Sequence, residues 1–512
     1  MKRMAWLCCS ALLVACPQQP VEPGADAGGP APDASAGDGA LPDTVAPDRA
    51  SADAGAGDAA AADAGSIDGA ASDAAAADSG PAADAGATAT GFKDAANWAA
   101  FEPPIADQVL GATAKGYYGA VFDGRFMYYV PCRKGNLQTD FHGVVMRYDT
   151  QGDFKSAASW AFYDAGNTLG NVATPTVGYA GGAFDGRYVY FVPYADGSRR
   201  HARVLRYDTI GAGFTAASSW SAFDAGTLAN MPQNSGYDGA VYDGSRYLYF
   251  VPYGDQSFAH GFALRYDTTG AFDAPASWQN FYVGNIGGLT TKGYYGGTSD
   301  GRYLYFAPFN NGTDTDFHGN VLRFDTQGAG GLTTAANWSA HDASSVDGLH
   351  TVGYKGAVFD GRYVYFVPFR DNIASQHTRV LRYDTTAAFD ATGAWDAFDA
   401  SDIDGLVTMG YVGAEFDGRY VYFIPYQQNN TPFATYHANV LRLDTHGDFR
   451  SRSSWSAFDA GWIDGLKTKG LKYGSFDGSY VYFVPYNFND DPGNNGHTTY
   501  SRRAVRYRID PH

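Results

Sequence analysis

The stretch Gly356–Phe369, GAVFDGRYVYFVPF, runs through small and large apolar residues to Phe359 and turns at Asp360-Gly361. It then continues as YVYFVP, hydrophobic at odd and even positions alike. A strand apolar on both faces has to be covered on both sides. The Asp-Gly pair suits a tight hairpin turn whose two central residues take positive φ. The stretch occurs seven times, with the pair at Asp123, Asp185, Asp243, Asp300, Asp360, Asp417 and Asp477, 57 to 62 residues apart. Each copy reads G-Y-x-G-x-x-x-D-G-R-Y-x-Y-F-x-P-Y, a variable segment, H-x-x-V-L-R-Y-D-T, a turn with Gly, and a segment such as SSWSAFDAG.

This pattern predicts four strands per copy. In the fifth copy they fall at 353–360, 362–369 and 377–384, with a fourth around Trp395. The equivalent tryptophans are Trp98, Trp160, Trp220, Trp278, Trp338 and Trp455. Seven four-stranded antiparallel sheets, each buried on both faces, imply an all-β fold, a seven-bladed β-propeller. The ends of the repeat agree. It starts with a fourth-strand segment around Trp98 and stops on a third-strand segment, RAVRYRIDPH. The N-terminal strand is therefore expected to complete the last blade, closing the ring and removing its edges. An open solenoid would need atypical capping repeats, which the pattern lacks. Residues 92–512 thus resemble the β-propeller superfamily in general. Neither the WD40 signature nor the double glycine of kelch repeats is present.

The chain ahead of the repeats is of another kind. Residues 1–16, MKRMAWLCCSALLVAC, have a basic start and a short apolar run ending in LVAC. Such a segment is too short to span a bilayer and reads as a secretory signal. The ending resembles the lipobox of bacterial lipoproteins, with Leu13 and Ala15 in place before Cys16. That resemblance implies lipid attachment at Cys16 and localisation at a bacterial membrane, the outer membrane or cell surface. Residues 17–91 hold no aromatic residue, and Asp recurs every fifth position from Asp33 to Asp78. With nothing apolar to bury and carboxylates that repel one another, the segment is expected to be a disordered tether.

Charge refines this division. The net charge of −18 is concentrated in residues 17–91, whose twelve Asp, one Glu and one Arg give −12. Neither part carries the basic stripe of a nucleic-acid binder. With Cys8 and Cys9 in the signal and Cys16 lipidated, Cys132 is the one expected free thiol, and no disulfide framework is implied. Cys132 stands where other copies have Tyr or Phe after Pro, so it reads as a small buried hydrophobe.

One histidine recurs five residues before the third-strand arginine: His142, His201, His260, His318, His377 and His437, with His497 a looser seventh. A ring of metal ligands is excluded by distance. Third strands lie about 10 Å further out than first strands, whereas histidine ligands must sit about 2 Å from one metal. A structural role within each blade is expected. The Asp-Gly aspartates, the following arginines (Arg125, Arg187, Arg246, Arg302, Arg362, Arg419) and the RYDT ends share one face and are expected to form a structural ring, broken by Ser479.

The opposite face carries the variable loops, such as CRKGNLQTDF, YADGSRR and YQQNNTPFATY. Irregular loops on a rigid scaffold are where binding usually resides. There Lys115, Lys292 and Lys469, with Tyr117, Tyr179, Tyr237, Tyr294, Tyr354 and Tyr411 two residues after the equivalent position, are the candidate ligand contacts, for an anionic ligand such as a uronate. No cofactor is implied. The oxygen-rich segments NNGTDTD and NDDPGNN are candidate calcium loops, though neither has EF-hand spacing. No Ser-His-Asp order, CxxC, Walker loop or HExxH is present. The expected function is therefore a monomeric binding module for cell-surface polysaccharide or protein partners. A polysaccharide lyase or hydrolase, with two or three unique polar residues at the channel mouth, is the competing expectation. A purely structural envelope protein is a third.

Overall fold

The computed structural model describes residues 91–510 apart from 106–107, 168–174, 233, 256–258, 313–314, 372–374, 430–434 and 489–498. Cys16, the signal, all of the tether but Gly91, His497, part of NNGTDTD and all of NDDPGNN lie outside the described residues.

Seven four-stranded antiparallel sheets form a ring, and the chain is a seven-bladed β-propeller. In blade five the strands are Tyr354–Phe359, Tyr363–Pro368, Arg379–Asp384 and Trp395–Asp399. First strands touch their neighbours in cyclic order, and that of blade seven, Leu471–Phe476, returns to that of blade one, Tyr117–Phe122. Closure is by the N-terminal strand. Trp98–Phe101 pairs antiparallel with Ala504–Arg508, with Trp98 opposite Tyr507. The one α-helix among the described residues is the short Gln108–Thr113, and no described helix is long and apolar enough to cross a membrane.

The doubly apolar second strands explain the core. Val364, Tyr365, Phe366 and Val367 are all buried, because each blade face meets a neighbouring blade. Every recurrent tryptophan donates its indole N–H to the carbonyl six residues before it, as Trp395 does to Phe389 at 3.1 Å. Most of them also pack against an aromatic ring of the preceding blade: Trp220 on Tyr163 at 5.0 Å, Trp278 on Phe223 at 4.9 Å. Trp98, delivered from the chain's other end, packs on Phe458 of blade six in the same way, at 4.9 Å. Third-strand arginines are held between two rings, Arg382 lying 4.1 Å from the Tyr363 centroid and 4.2 Å from that of Phe449 in the next blade.

The hairpin turn differs from its expected form. Only the glycine takes positive φ, +101° at Gly361, while the aspartate stands before the turn. Asp360 Oδ1 accepts from the N–H groups of Arg362 and Tyr363 at 2.8 and 2.6 Å, and Oδ2 accepts from the Tyr365 hydroxyl at 2.8 Å. The following arginines do not pair with these aspartates or form a ring between blades. Each binds the RYDT aspartate of its own blade, as Arg362 does Asp384 at 2.7 Å.

Candidate ligand site at the channel mouth

A bulge in every first strand decides what faces the axis. Pairing between first and second strands slips between Tyr117 and Ala120 in blade one and at the same place in the other six. A two-against-one bulge turns the following side chain to the other face. The recurrent tyrosines therefore point into the blades. Tyr117, Tyr179, Tyr237, Tyr294, Tyr354 and Tyr411 are each fully buried, and three of them donate to third-strand carbonyls, Tyr294 to Asn320 at 3.0 Å for example. As ligand contacts these six are corrected, because they expose no surface.

The three lysines do not reach the mouth either. Lys115 and Lys292 offer their backbone carbonyls to His142 and His318 at 2.6 and 2.9 Å. The Lys469 side chain lies against Gly461, just beyond the fourth strand of its neighbour blade. None of the three lines the cavities at the mouth.

The histidines lie buried at the start of the third strands. His201, His260 and His377 donate Nε2–H to Val177, Gly236 and Val352 carbonyls at 2.8 to 2.9 Å. In all six, Nδ1 accepts a backbone N–H two residues on, at 3.1 to 3.2 Å, including Asn439 for His437. Burial holds all six below the ordinary imidazole range, to about 3 or 4. In blade seven the position belongs to Ser501, whose Oγ accepts from Arg503 N–H at 3.1 Å and whose carbonyl takes Gly116 N–H at 2.8 Å.

The position toward the mouth is the variable x of G-Y-x-G, a motif kept in six blades and replaced by Gly470-Leu471-Lys472-Tyr473 in the seventh. It holds Tyr118, Ala180, Asp238, Tyr295, Lys355, Val412 and Lys472, of which Tyr118, Tyr295, Lys355 and Lys472 line the cavities. The next residue is glycine at positive φ in six blades, Gly119 at +105° and Gly356 at +111° among them. These glycines are packed almost against one another. A Cβ on Gly119 would lie 3.1 Å from Gly181 Cα, and one on Gly356 3.0 Å from Gly413 Cα. Blade seven has Tyr473 instead, at φ +56°. Its ring extends across the glycine ring, within 5.7 Å of the Tyr118 ring, and its hydroxyl donates to Asp238 Oδ1 at 2.6 Å. It separates a far-side cavity of about 560 Å³, lined by the glycines and Glu415, from the loop-face mouth. Burial pushes the Glu415 carboxyl up to about 8.

Above Tyr473 the mouth holds a cavity of about 430 Å³ and an adjoining one of about 260 Å³, which share Arg200 and Tyr295. Residues after the second-strand proline supply a collar: Cys132, Tyr194, Tyr253, Phe309, Phe369, Tyr426 and Tyr486. Lys355 Nζ sits 4.2, 4.6 and 4.2 Å from the ring centroids of Tyr295, Phe309 and Phe369. Lys472 Nζ sits 4.2, 4.6 and 3.9 Å from those of Tyr118, Tyr426 and Tyr486. Such cages stabilise a desolvated ammonium. Burial still pulls Lys472 down to about 8 and Lys355 well below its ordinary value, the latter also through repulsion from Lys472. Asp238 is fully buried, and burial pushes its carboxyl up to about 6 against the Tyr473 bond and the two lysines. Burial pushes the Cys132 thiol up to about 12.

No protein-family model and no curated protein matches the chain. Among solved structures, one described as "YCF48 bound to D1 peptide" is similar at 11% identity and a TM-score of 0.44, over 81% of this chain and 96% of that one. A likeness at that level says nothing of ligand or partner here.

Sequence reasoning placed the variable loops CRKGNLQTDF and YADGSRR at this mouth but missed its first-strand residues, because alternation was carried through the bulge. The signal was present as the heterogeneous x of Y-x-G, beside a glycine inside a strand, which is a mark of a bulge.

Proposed function

We propose that the chain is an exported lipoprotein, anchored through a lipid on Cys16, whose propeller is a binding module for a cell-surface polysaccharide held at the loop-face channel mouth. The observation that carries the site is the convergence of the non-repeating first-strand residues and the aromatic collar on one concavity. A cavity walled by aromatic rings with a few placed polar groups is the usual form of a small-ligand site. Two variable loops add to its wall, through Arg133, Gln138 and Phe141 and through residues 194–195 and 197–200. The export reading is supported by the apolar run ending in LVAC and by the acidic stretch after it.

Both parts are testable. The full-length chain is expected to retain envelope polysaccharide in affinity co-sedimentation, and Tyr194→Ala, in the collar, to weaken that retention. Retention of proteins alone would overturn the polysaccharide reading in favour of a protein partner. Cys16→Ser is expected to release the chain from membranes, and an unchanged membrane fraction would refute the anchor.

A further inference from the structure

Resting on that reading, we propose that the mouth selects acidic saccharides, taking the carboxylate of a uronate residue between Lys355 and Lys472 while the sugar ring lies against the aromatic collar. Three observations support it, and the first is charge. The two adjoining cavities are lined by Arg133, Arg199, Arg200, Lys355, Arg370 and Lys472 against one carboxylate, Asp255. This concentration of cations lies in a chain of net charge −18.

The second is unmet hydrogen-bonding capacity. Neither lysine ammonium has a hydrogen-bond or ion-pair partner among the described residues, only its three rings. Arg133 Nε and Arg200 Nη1 are likewise buried without a partner among the described residues. Buried donors left unpaired cost free energy that an oxyanion would recover. A ligand cation is disfavoured, because the chain's own lysines already fill both aromatic cages.

The third is what the unpaired donors select. A carboxylate brings both an oxygen acceptor and the opposite charge to ammonium groups held out of water. A neutral sugar would offer the ammonium groups only uncharged oxygen acceptors, so the site discriminates through charge rather than through shape.

Titration calorimetry on the full-length chain tests this with galacturonate, glucuronate and mannuronate oligomers, their neutral hexose counterparts and inorganic phosphate as probes. At least one acidic oligomer is expected to bind at least tenfold tighter than its neutral counterpart and tighter than phosphate. Lys355→Gln and Lys472→Gln are each expected to remove at least tenfold of acidic affinity while leaving the weaker neutral affinity unchanged. Lys→Met at either position keeps the stem in its cage and serves where the Gln variant melts early; it should show the same selective loss. Equal binding of acidic and neutral oligomers would overturn the acidic selectivity and leave polysaccharide binding standing. Binding of no saccharide would overturn both, and phosphate binding as tight as the best oligomer would reduce the site to a bare anion site.

Discussion

The Tyr473 hydroxyl donates to Asp238 Oδ1 at 2.6 Å and joins blade seven to blade three across the channel. Tyr473 holds a backbone conformation, φ +56°, that the other six blades reserve for glycine. A non-glycine residue there costs about 1–2 kcal/mol, a strain that the ring contacts and the bond to a buried carboxyl offset.

Tyr473→Phe keeps the ring and removes the donor. At neutral pH, where Asp238 is ionised, the loss of a hydrogen bond to a charged group is expected to destabilise the fold by about 1.5–3 kcal/mol. At pH 4, with the carboxyl protonated, the effect should be smaller. Urea denaturation at both pH values measures it, and an equal loss at both would show that the bond does not act on the ionised form.

Asp238→Asn tests the burial of that carboxyl. Its folded value of about 6 lies above the ordinary 3.8, so between those values the folded chain holds a proton that the unfolded chain has released. Stability from this group is present below pH 3.8 and falls as pH rises to 6, by about 3 kcal/mol at 1.36 kcal/mol per unit. Asn lacks this slope and can still accept from Tyr473. The variant should gain on the wild type in melting temperature between pH 4 and 7, and parallel pH profiles would contradict the assignment.

The histidines have the opposite sign. Burial lowers His377 to about 3, so its contribution is complete above the ordinary value of 6.5 and declines as pH falls below it. His377→Gln gives up the bond to the Val352 carbonyl at 2.8 Å and should cost about 1–3 kcal/mol at pH 7.5. The deficit should narrow by pH 5, where the wild type resists protonation of the buried ring. Thermal melts of both chains across that range provide the check.

Asp360 and Arg362 separate a buried-side bond network from a surface ion pair. Asp360 accepts three hydrogen bonds within its own hairpin, whereas Arg362 makes an exposed pair with Asp384. Arg362→Ala is expected to cost less than about 1 kcal/mol. Asp360→Ala, which leaves backbone donors and the Tyr365 hydroxyl without their acceptor, should cost about 2 kcal/mol or more. Denaturant midpoints of the two variants should fall in that order, and the reverse order would show that the ion pair dominates the turn.

Local period and the repeat determined the number of blades, four strands in each, the burial of YVYFVP on both faces, and closure through Trp98. These follow from side-chain alternation and from counting strands at the two ends, which need no knowledge of distant neighbours. Tertiary structure decided the rest. A one-residue bulge exchanged Tyr117 for Tyr118 as the side chain at the mouth, and Ser501, without an imidazole, took the seventh histidine position. The partnership of Tyr473 with Asp238 spans 235 positions of sequence. It exists because ring closure brings blade seven opposite blade three, and no local pattern records that juxtaposition.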